Sequence, residues 1–399
     1  MSGPAMSGRT NNGTIVLAAG GTGGHVFPAQ ALAEVLVARG HKVALVTDRR
    51  GAAFELPNGE IELHRIRAAS PSRRGIWAKA QAALELGLGT LQAYALLRRM
   101  RPSAVVGFGG YPSVPTILAA SRLSIPTVLH EQNALLGRAN RMLAGSAAQI
   151  ATSFPETGGI SPNDRKKAHL TGNPVRPAIA ALADTAYVAP GEGEQLVVLI
   201  TGGSQGANVF ADIMPAALAE LPEETRARVS IMQQCRPEDL ERVASAYHDL
   251  GVDAETAQFF TDMPERLTRA HLVVCRSGAS TVTELAAAGR PAILVPYPHA
   301  ADDHQTLNAR AMERAGGAWL VPEDAFQPDC VASRLETVLN LPASLTEAAA
   351  AAKGLGAPDA VDRLADLVLE AARAEANDRT QTTQTEPPLD DRIARRTAA

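Results

Sequence analysis

The chain has 399 residues, 46% of them hydrophobic and only 4% aromatic, with a formal net charge of −4. That length exceeds one ordinary core and calls for two domains of similar size. The lack of a long basic block excludes nucleic acid as the main partner, because such binding rests on phosphate neutralisation. Three scattered cysteines, Cys235, Cys275 and Cys330, exclude a disulfide framework and a zinc site.

Residues 1–12 are polar and small, without the apolar centre of a signal peptide. No run approaches the ~20 apolar residues of a membrane span, so a cytosolic chain is expected. Thr14–Ala19 reads as a buried strand running into Gly20, Gly21, Thr22, Gly23 and Gly24. A helix over Phe27–Arg39 is closed by Gly40, and Lys42–Thr47 is the next strand. Ala104–Val106 leads into the turn Gly107–Tyr111, then a helix over Val114–Ser121 and a strand over Pro126–His130. A helix near Leu135–Ala144 and a strand at Gln149–Ser153 complete the first half. Pro- and Gly-rich sequence follows, up to Glu194.

The second half starts as the first did, with strand Gln195–Ile200, Gly-rich turn Thr201–Gly206 and a helix. Further strands are expected at Arg228–Gln233, Gln258–Phe260, Leu272–Cys275, Ala292–Val295 and Ala318–Val321. Ser344–Ala374 is Ala-rich, with Leu364, Leu367, Val368 and Ala371 at helical spacing. The expected organisation is an N-terminal domain over 13–178, a linker over 179–194 and a C-terminal domain over 195–374. Its last helix returns to the N-terminal domain, and 1–12 and 375–399 are disordered. The fold class is α/β, with two Rossmann-like doubly wound domains facing a cleft.

Two Gly-rich turns open onto helix N-termini, one per half, where free N–H groups and the helix dipole favour phosphate. The first is not a dinucleotide fingerprint: with Gly21 and Gly23 as its first glycines, the third falls on Val26. Nor is it a P-loop, since no Lys-Ser/Thr pair ends it. A third such element is Arg276–Ser277–Gly278 followed by Ala279, Ser280, Thr281, Val282, Thr283 and Glu284. Glu284 stands about one turn inside the helix. It can accept hydrogen bonds from both hydroxyls of a ribose, or simply serve as a first-turn acid.

Six motifs in order resemble one family closely. They are Gly20–His25, Gly109–Gly110–Tyr111, His130–Glu131–Gln132–Asn133, Gly172–Asn173–Pro174–Val175–Arg176, Gly202–Ala207 and Arg276–Glu284. The family is MurG, the peptidoglycan N-acetylglucosaminyltransferases that convert lipid I to lipid II, and the resemblance spans about Thr14 to Ala374. It implies a GT-B fold, UDP-N-acetylglucosamine as donor, lipid I as acceptor and inversion at the anomeric carbon. Donor contacts carry over to Thr22, Gly23, Gly24, Asn133, Arg176, Ser204, Ala279–Glu284 and Gln305, with Phe260 beside the uracil. Gly109, Gly110 and Tyr111 fall on the acceptor side. The segment Ala300–Gln305 departs from the family by one extra residue and by His304, which puts Gln305 in question.

An inverting displacement needs a base for the acceptor hydroxyl and charge stabilisation for the leaving diphosphate. His25, on a helix N-terminus that disfavours its cationic form, is the first choice of base; Glu131 is the alternative. Without a D-x-D motif no metal or cofactor is expected. The adjacent Asp302 and Asp303 read as a solvated loop. Basic and apolar residues mix at Arg65, Arg67, Arg73, Arg74, Ile76, Trp77 and Lys79. They suggest an anionic lipid surface as partner and peripheral placement on the cytoplasmic face of the inner membrane, beside other cell-wall and division proteins. A UDP-N-acetylglucosamine 2-epimerase-like isomerase and a non-catalytic binding subunit stay open on the same scaffold.

Overall fold

Short apolar runs without polar alternation suit strands covered on both faces, and the core follows from them. The structure, a computed structural model, describes residues 13–20, 23–48, 61–69, 75–191, 193–203 and 206–385. The first sheet contains β1 (Ile15–Ala18), β2 (Val43–Thr47), β3 (Glu62–Arg65), β4 (Ala104–Gly107), β5 (Thr127–Glu131), β6 (Gln149–Thr152) and β7 (Ala168–Leu170). Its order is β3-β2-β1-β4-β5-β6-β7, parallel throughout. The second contains β8 (Leu196–Thr201), β9 (Val229–Gln234), β10 (Asp253–Ala257), β11 (Leu272–Cys275), β12 (Ala292–Leu294) and β13 (Ala318–Leu320). Its order is β10-β9-β8-β11-β12-β13, again parallel.

The two α/β sheets agree with the doubly wound expectation, and the differences from it fall at the edges. β3 and β7 had no expected counterpart, and the expected strand Gln258–Phe260 lies one segment downstream of β10. All three strands are sheet edges of mixed polarity and largely unburied residues, so the apolar signal that marks central strands is missing. The apolar Phe259 and Phe260 instead follow β10 in a loop. The Ser344–Ala374 helix is two, Ala343–Leu355 and Ala360–Thr385. The break lies at Gly356–Ala357–Pro358, where proline cannot continue the first helix. Gly356 also packs so closely that a Cβ there would stand 2.7 Å from the Ala286 carbonyl oxygen. The last helix continues past Glu375 to Thr385, into the tail expected from the sequence to be disordered.

Leu364, Val368 and Ala371 of this last helix share a core with Ile15, Leu17, Leu32 and Leu36 of the first half. Arg39 adds ion pairs of 2.6 Å to both Asp362 and Asp366. A separate cluster joins Ala134 and Phe154 of the first half to Leu267, Leu285 and Met312 of the second. In each sheet the strand order reverses once, between β1 and β4 and between β8 and β11. Open parallel sheets bind ligands at such reversals, outside the carboxyl ends of the strands.

Candidate active site

At the first reversal β1 ends at Ala18, and a helix begins at Gly23 with its leading N–H groups unpaired within the helix. His25 lies in its first turn. From the neighbouring strand, the turn after β4 brings Gly109 and Gly110 up with φ of 82° and 68°. A Cβ on Gly109 would stand 3.5 Å from His25 Cε1, and one on Gly110 3.4 Å from Cδ2. These glycines therefore both take a left-handed backbone and leave room for the imidazole. Tyr111 follows, half-buried at the start of the helix Gly110–Arg122.

β5 delivers His130 and Glu131 at its end, both buried. Glu131 Oε1 accepts from the backbone and side-chain N–H groups of Asn133, each at 3.1 Å. Its Oε2 accepts from Gly137 N at 2.8 Å and Asn140 Nδ2 at 2.9 Å. Four donors on one buried carboxylate tie the loop 132–140 to the end of β5. Glu131, expected from the sequence as the alternative base, thus has both oxygens engaged in bonds to its own loop. His130 is deeply buried, and burial pushes its imidazole down to about 4. The Gly172 carbonyl works the other way, and the nearby His25 adds to the depression.

At the second reversal the helix Ala279–Ala288 starts after Gly278 with no side-chain cap. Ser280 Oγ is buried there and has no hydrogen-bond partner among the described residues. Thr283 Oγ1 takes a 3.1 Å bond from Asn173 Nδ2 of the interdomain connection. Glu284 forms a bidentate pair with Arg176, at 2.9 and 3.0 Å. Val282 turns into the core, as does the Phe260 ring, over which the Arg266 guanidinium lies 3.7 Å from the centroid. Only the backbone of these two can meet a ligand. Gly203 and Gly206 have φ of 74° and 68°, giving the turn after β8 the left-handed corners that glycine tolerates.

The halves also meet directly. Asn308, fully buried, accepts from Ala134 N at 2.8 Å and donates to Asn133 Oδ1 and the Ser277 carbonyl, both at 3.1 Å. Ser277 Oγ donates to the Gln305 carbonyl, and Gln305 Oε1 accepts from Tyr297 N, each at 2.9 Å. Asp302, on the departing loop, is held by Arg138 of the first half through bonds of 2.6 to 3.2 Å. Its carboxyl is kept below the usual range mainly by those bonds.

Two domain models account for most of the chain: the glycosyltransferase family 28 N-terminal domain over residues 15–152 and the family's C-terminal domain over 197–364. The chain belongs to glycosyltransferase family 28. It is 58% identical over 358 residues to a protein of Rhodospirillum centenum, covering 90% of this chain and 94% of that one. It is 54% identical to a protein of Rhodospirillum rubrum, covering 89% and 91%. Both are named UDP-N-acetylglucosamine--N-acetylmuramyl-(pentapeptide) pyrophosphoryl-undecaprenol N-acetylglucosamine transferase. The crystal structure of Acinetobacter baumannii MurG matches with a TM-score of 0.75 at 31% identity, covering 90% of this chain and 99% of that one. UDP-GlcNAc 2-epimerase from Neisseria meningitidis shares only the fold, at 13% identity with a TM-score of 0.61, covering 90% and 100%.

As a family 28 glycosyltransferase the chain brings His25, Gly109, Gly110 and Tyr111 together at one switch point, and Arg176 with Ala279–Glu284 at the other. Asn133 and Gln305 lie among the contacts joining the halves. Thr22, Ser204, Arg73, Arg74 and the Lys79 side chain lie outside the described residues. Ile76 and Trp77 open the helix Ile76–Met100 and are 85% and 89% exposed. Sequence reading missed Asn308, which sits in mid-helix without a local signal, and Arg138. It quoted His130 and Gln132 within a motif without giving either a task.

Proposed function

We propose that this family 28 transferase moves N-acetylglucosamine from UDP-N-acetylglucosamine to lipid I, undecaprenyl-diphospho-N-acetylmuramoyl-pentapeptide, giving lipid II and UDP. The acceptor hydroxyl oxygen attacks the anomeric carbon on the face opposite UDP. The new C–O bond forms as the bond to the diphosphate breaks, and the configuration inverts. His25 takes the hydroxyl proton. The departing negative charge meets the N–H groups that open the Ala279–Ala288 helix, together with Arg176. The observation that carries this reading is His25, seated against Gly109 and Gly110 at one switch point, with the donor-type helix start at the other.

The test is transfer of radiolabelled N-acetylglucosamine to a short-chain lipid I analogue with EDTA present. Labelled disaccharide-lipid and released UDP are expected. His25→Ala should lower kcat by at least about a hundredfold; near-normal turnover in that variant would remove the base. Conversion of the UDP-sugar without acceptor would replace the reading with an epimerase.

The acceptor is a membrane lipid, and the helix Ile76–Met100 supports a peripheral seat on the cytoplasmic leaflet. Trp77, Leu84 and Leu91 are exposed at seven-residue spacing along it, forming one apolar stripe. Among the described residues no helix is long and apolar enough to cross a membrane. Neutralising Arg73 and Arg74 together with Trp77→Ala should weaken binding to anionic liposomes by tenfold or more, at about 1 kcal/mol per basic residue. Unchanged sedimentation with vesicles would sink the membrane seat and leave the transfer reaction untouched.

A further inference from the structure

A proton can be taken by an imidazole only at a nitrogen that does not already carry one, so a histidine base needs the correct tautomer as well as the correct place. Around His25 the hydrogen bonds have a fixed direction. Gln132 Nε2 stands 3.0 Å from the Phe108 carbonyl oxygen, which can only accept, so this end of the amide is the donor. The same nitrogen is 2.9 Å from His130 Nδ1, which therefore holds a lone pair. The His130 proton is then on Nε2, where it faces a second obligate acceptor, the Gly172 carbonyl oxygen, at 3.3 Å. Burial of His130 keeps that ring neutral, as the pattern requires. Two carbonyls at the two ends leave only one orientation for the row.

The remaining end of the amide, Gln132 Oε1, lies 3.1 Å from His25 Nδ1. An amide oxygen accepts and cannot donate, so His25 must carry its proton on Nδ1. Its Nε2 then bears the lone pair. We infer that Gln132, oriented by Phe108 and His130, is a positioning residue that holds His25 in the Nδ1–H tautomer and keeps Nε2 ready for the acceptor hydroxyl. The catalytic half of this inference rests on His25 being the base; the tautomer half does not. A carboxylate often fills this place beside a catalytic imidazole. Here a neutral amide does so, and it aligns the ring without placing a buried charge against the imidazolium that forms.

The experiment is ¹⁵N NMR of histidine-labelled protein, run beside kinetics, on the full chain and on Gln132→Met and Gln132→Glu. In the unaltered chain His25 should show a protonated Nδ1 and a bare Nε2. Gln132→Met removes the acceptor, so the Nε2–H form should appear and kcat should fall on the order of a hundredfold. KM for UDP-N-acetylglucosamine should stay within about twofold, because among the described residues the Gln132 side chain bonds to His25, Phe108 and His130 and to none of the expected donor contacts. Gln132→Glu restores an acceptor for Nδ1–H and should recover the tautomer and part of the rate. That recovery distinguishes positioning from simple loss of packing, because Gln132→Glu also loses the bonds to Phe108 and His130 and should melt no higher than Gln132→Met while keeping more of the rate.

An Nε2–H signal for His25 in the unaltered chain, or an Nδ1–H signal that survives Gln132→Met, overturns the inference whatever His25 does in catalysis. A tautomer that moves while kcat holds, with His25→Ala equally active, removes the base reading and with it the catalytic half.

Discussion

The two switch points are built differently. At the first, the polar side chains His130, Glu131 and Gln132 are almost completely buried and bonded to one another's loops or to backbone. At the second, the principal polar contact is the Arg176–Glu284 pair, with side chains 44% and 19% exposed, beside the unpartnered Ser280 Oγ. The His25 side thus holds its geometry through neutral hydrogen bonds and one carboxylate with four donors. The Glu284 side is held by a partly exposed ion pair, whose partners, on the proposed function, a ribose and a diphosphate would each compete for. Preorganised geometry lowers a chemical barrier, whereas exchangeable contacts suit a ligand that must enter and leave.

The largest effect should come from disturbing the preorganised side. Glu131→Gln puts an NH2 group against two of the four donors in a buried loop, and should destabilise the chain by about 3 kcal/mol or more. Urea unfolding reads this directly. A loss under about 1 kcal/mol would mean that the loop is not held by the carboxylate, and the contrast between the two sides would weaken.

Next is a pH effect of similar size. Burial holds His130 at about 4 in the native state, against about 6.5 when unfolded. Between those values the unfolded chain binds a proton that the native chain refuses. The stability is therefore present above pH 6.5 and is lost as pH falls toward 4, by about 3 kcal/mol in all. Urea midpoints at pH 7 and 4.5 should fall further for the unaltered chain than for His130→Gln; equal falls would show that His130 is not buried neutral.

The smallest effect on folding should come from the donor side. Arg176→Met removes a solvent-screened pair, and should change stability by no more than ~1 kcal/mol. KM for UDP-N-acetylglucosamine should nevertheless rise about tenfold, the equivalent of one charge-assisted contact. A variant that unfolds readily would put the donor side in the same class as the base side.

The sequence made the central strands and the Gly-rich turns legible, because an apolar run ending in glycine has few other uses in an α/β chain. The edge strands β3, β7 and β10 were opaque, since sequences such as Glu62–Arg65 carry no burial pattern to detect. The same division holds at the site. His25 could be found from its place after a Gly turn, and Glu284 from its place inside a helix start. The bond from Asn308 to Asn133 spans 175 positions, and that from Arg176 to Glu284 spans 108, so neither leaves a local trace. Glu131 was legible as important, but its four donors were not, because they come from the fold of the loop that follows it.

The last helix has a consequence for how the chain comes off the ribosome. Leu364, Val368 and Ala371 fill one side of the core beneath β1, yet they are synthesised after every strand of both sheets. A nascent chain that has already paired β1 through β7 still presents an uncovered apolar face, and must keep it from aggregating while the whole second domain is made. The first domain to be translated is therefore the last to be finished, and a stop codon just before Ala360 would damage the half of the protein farthest from it in sequence.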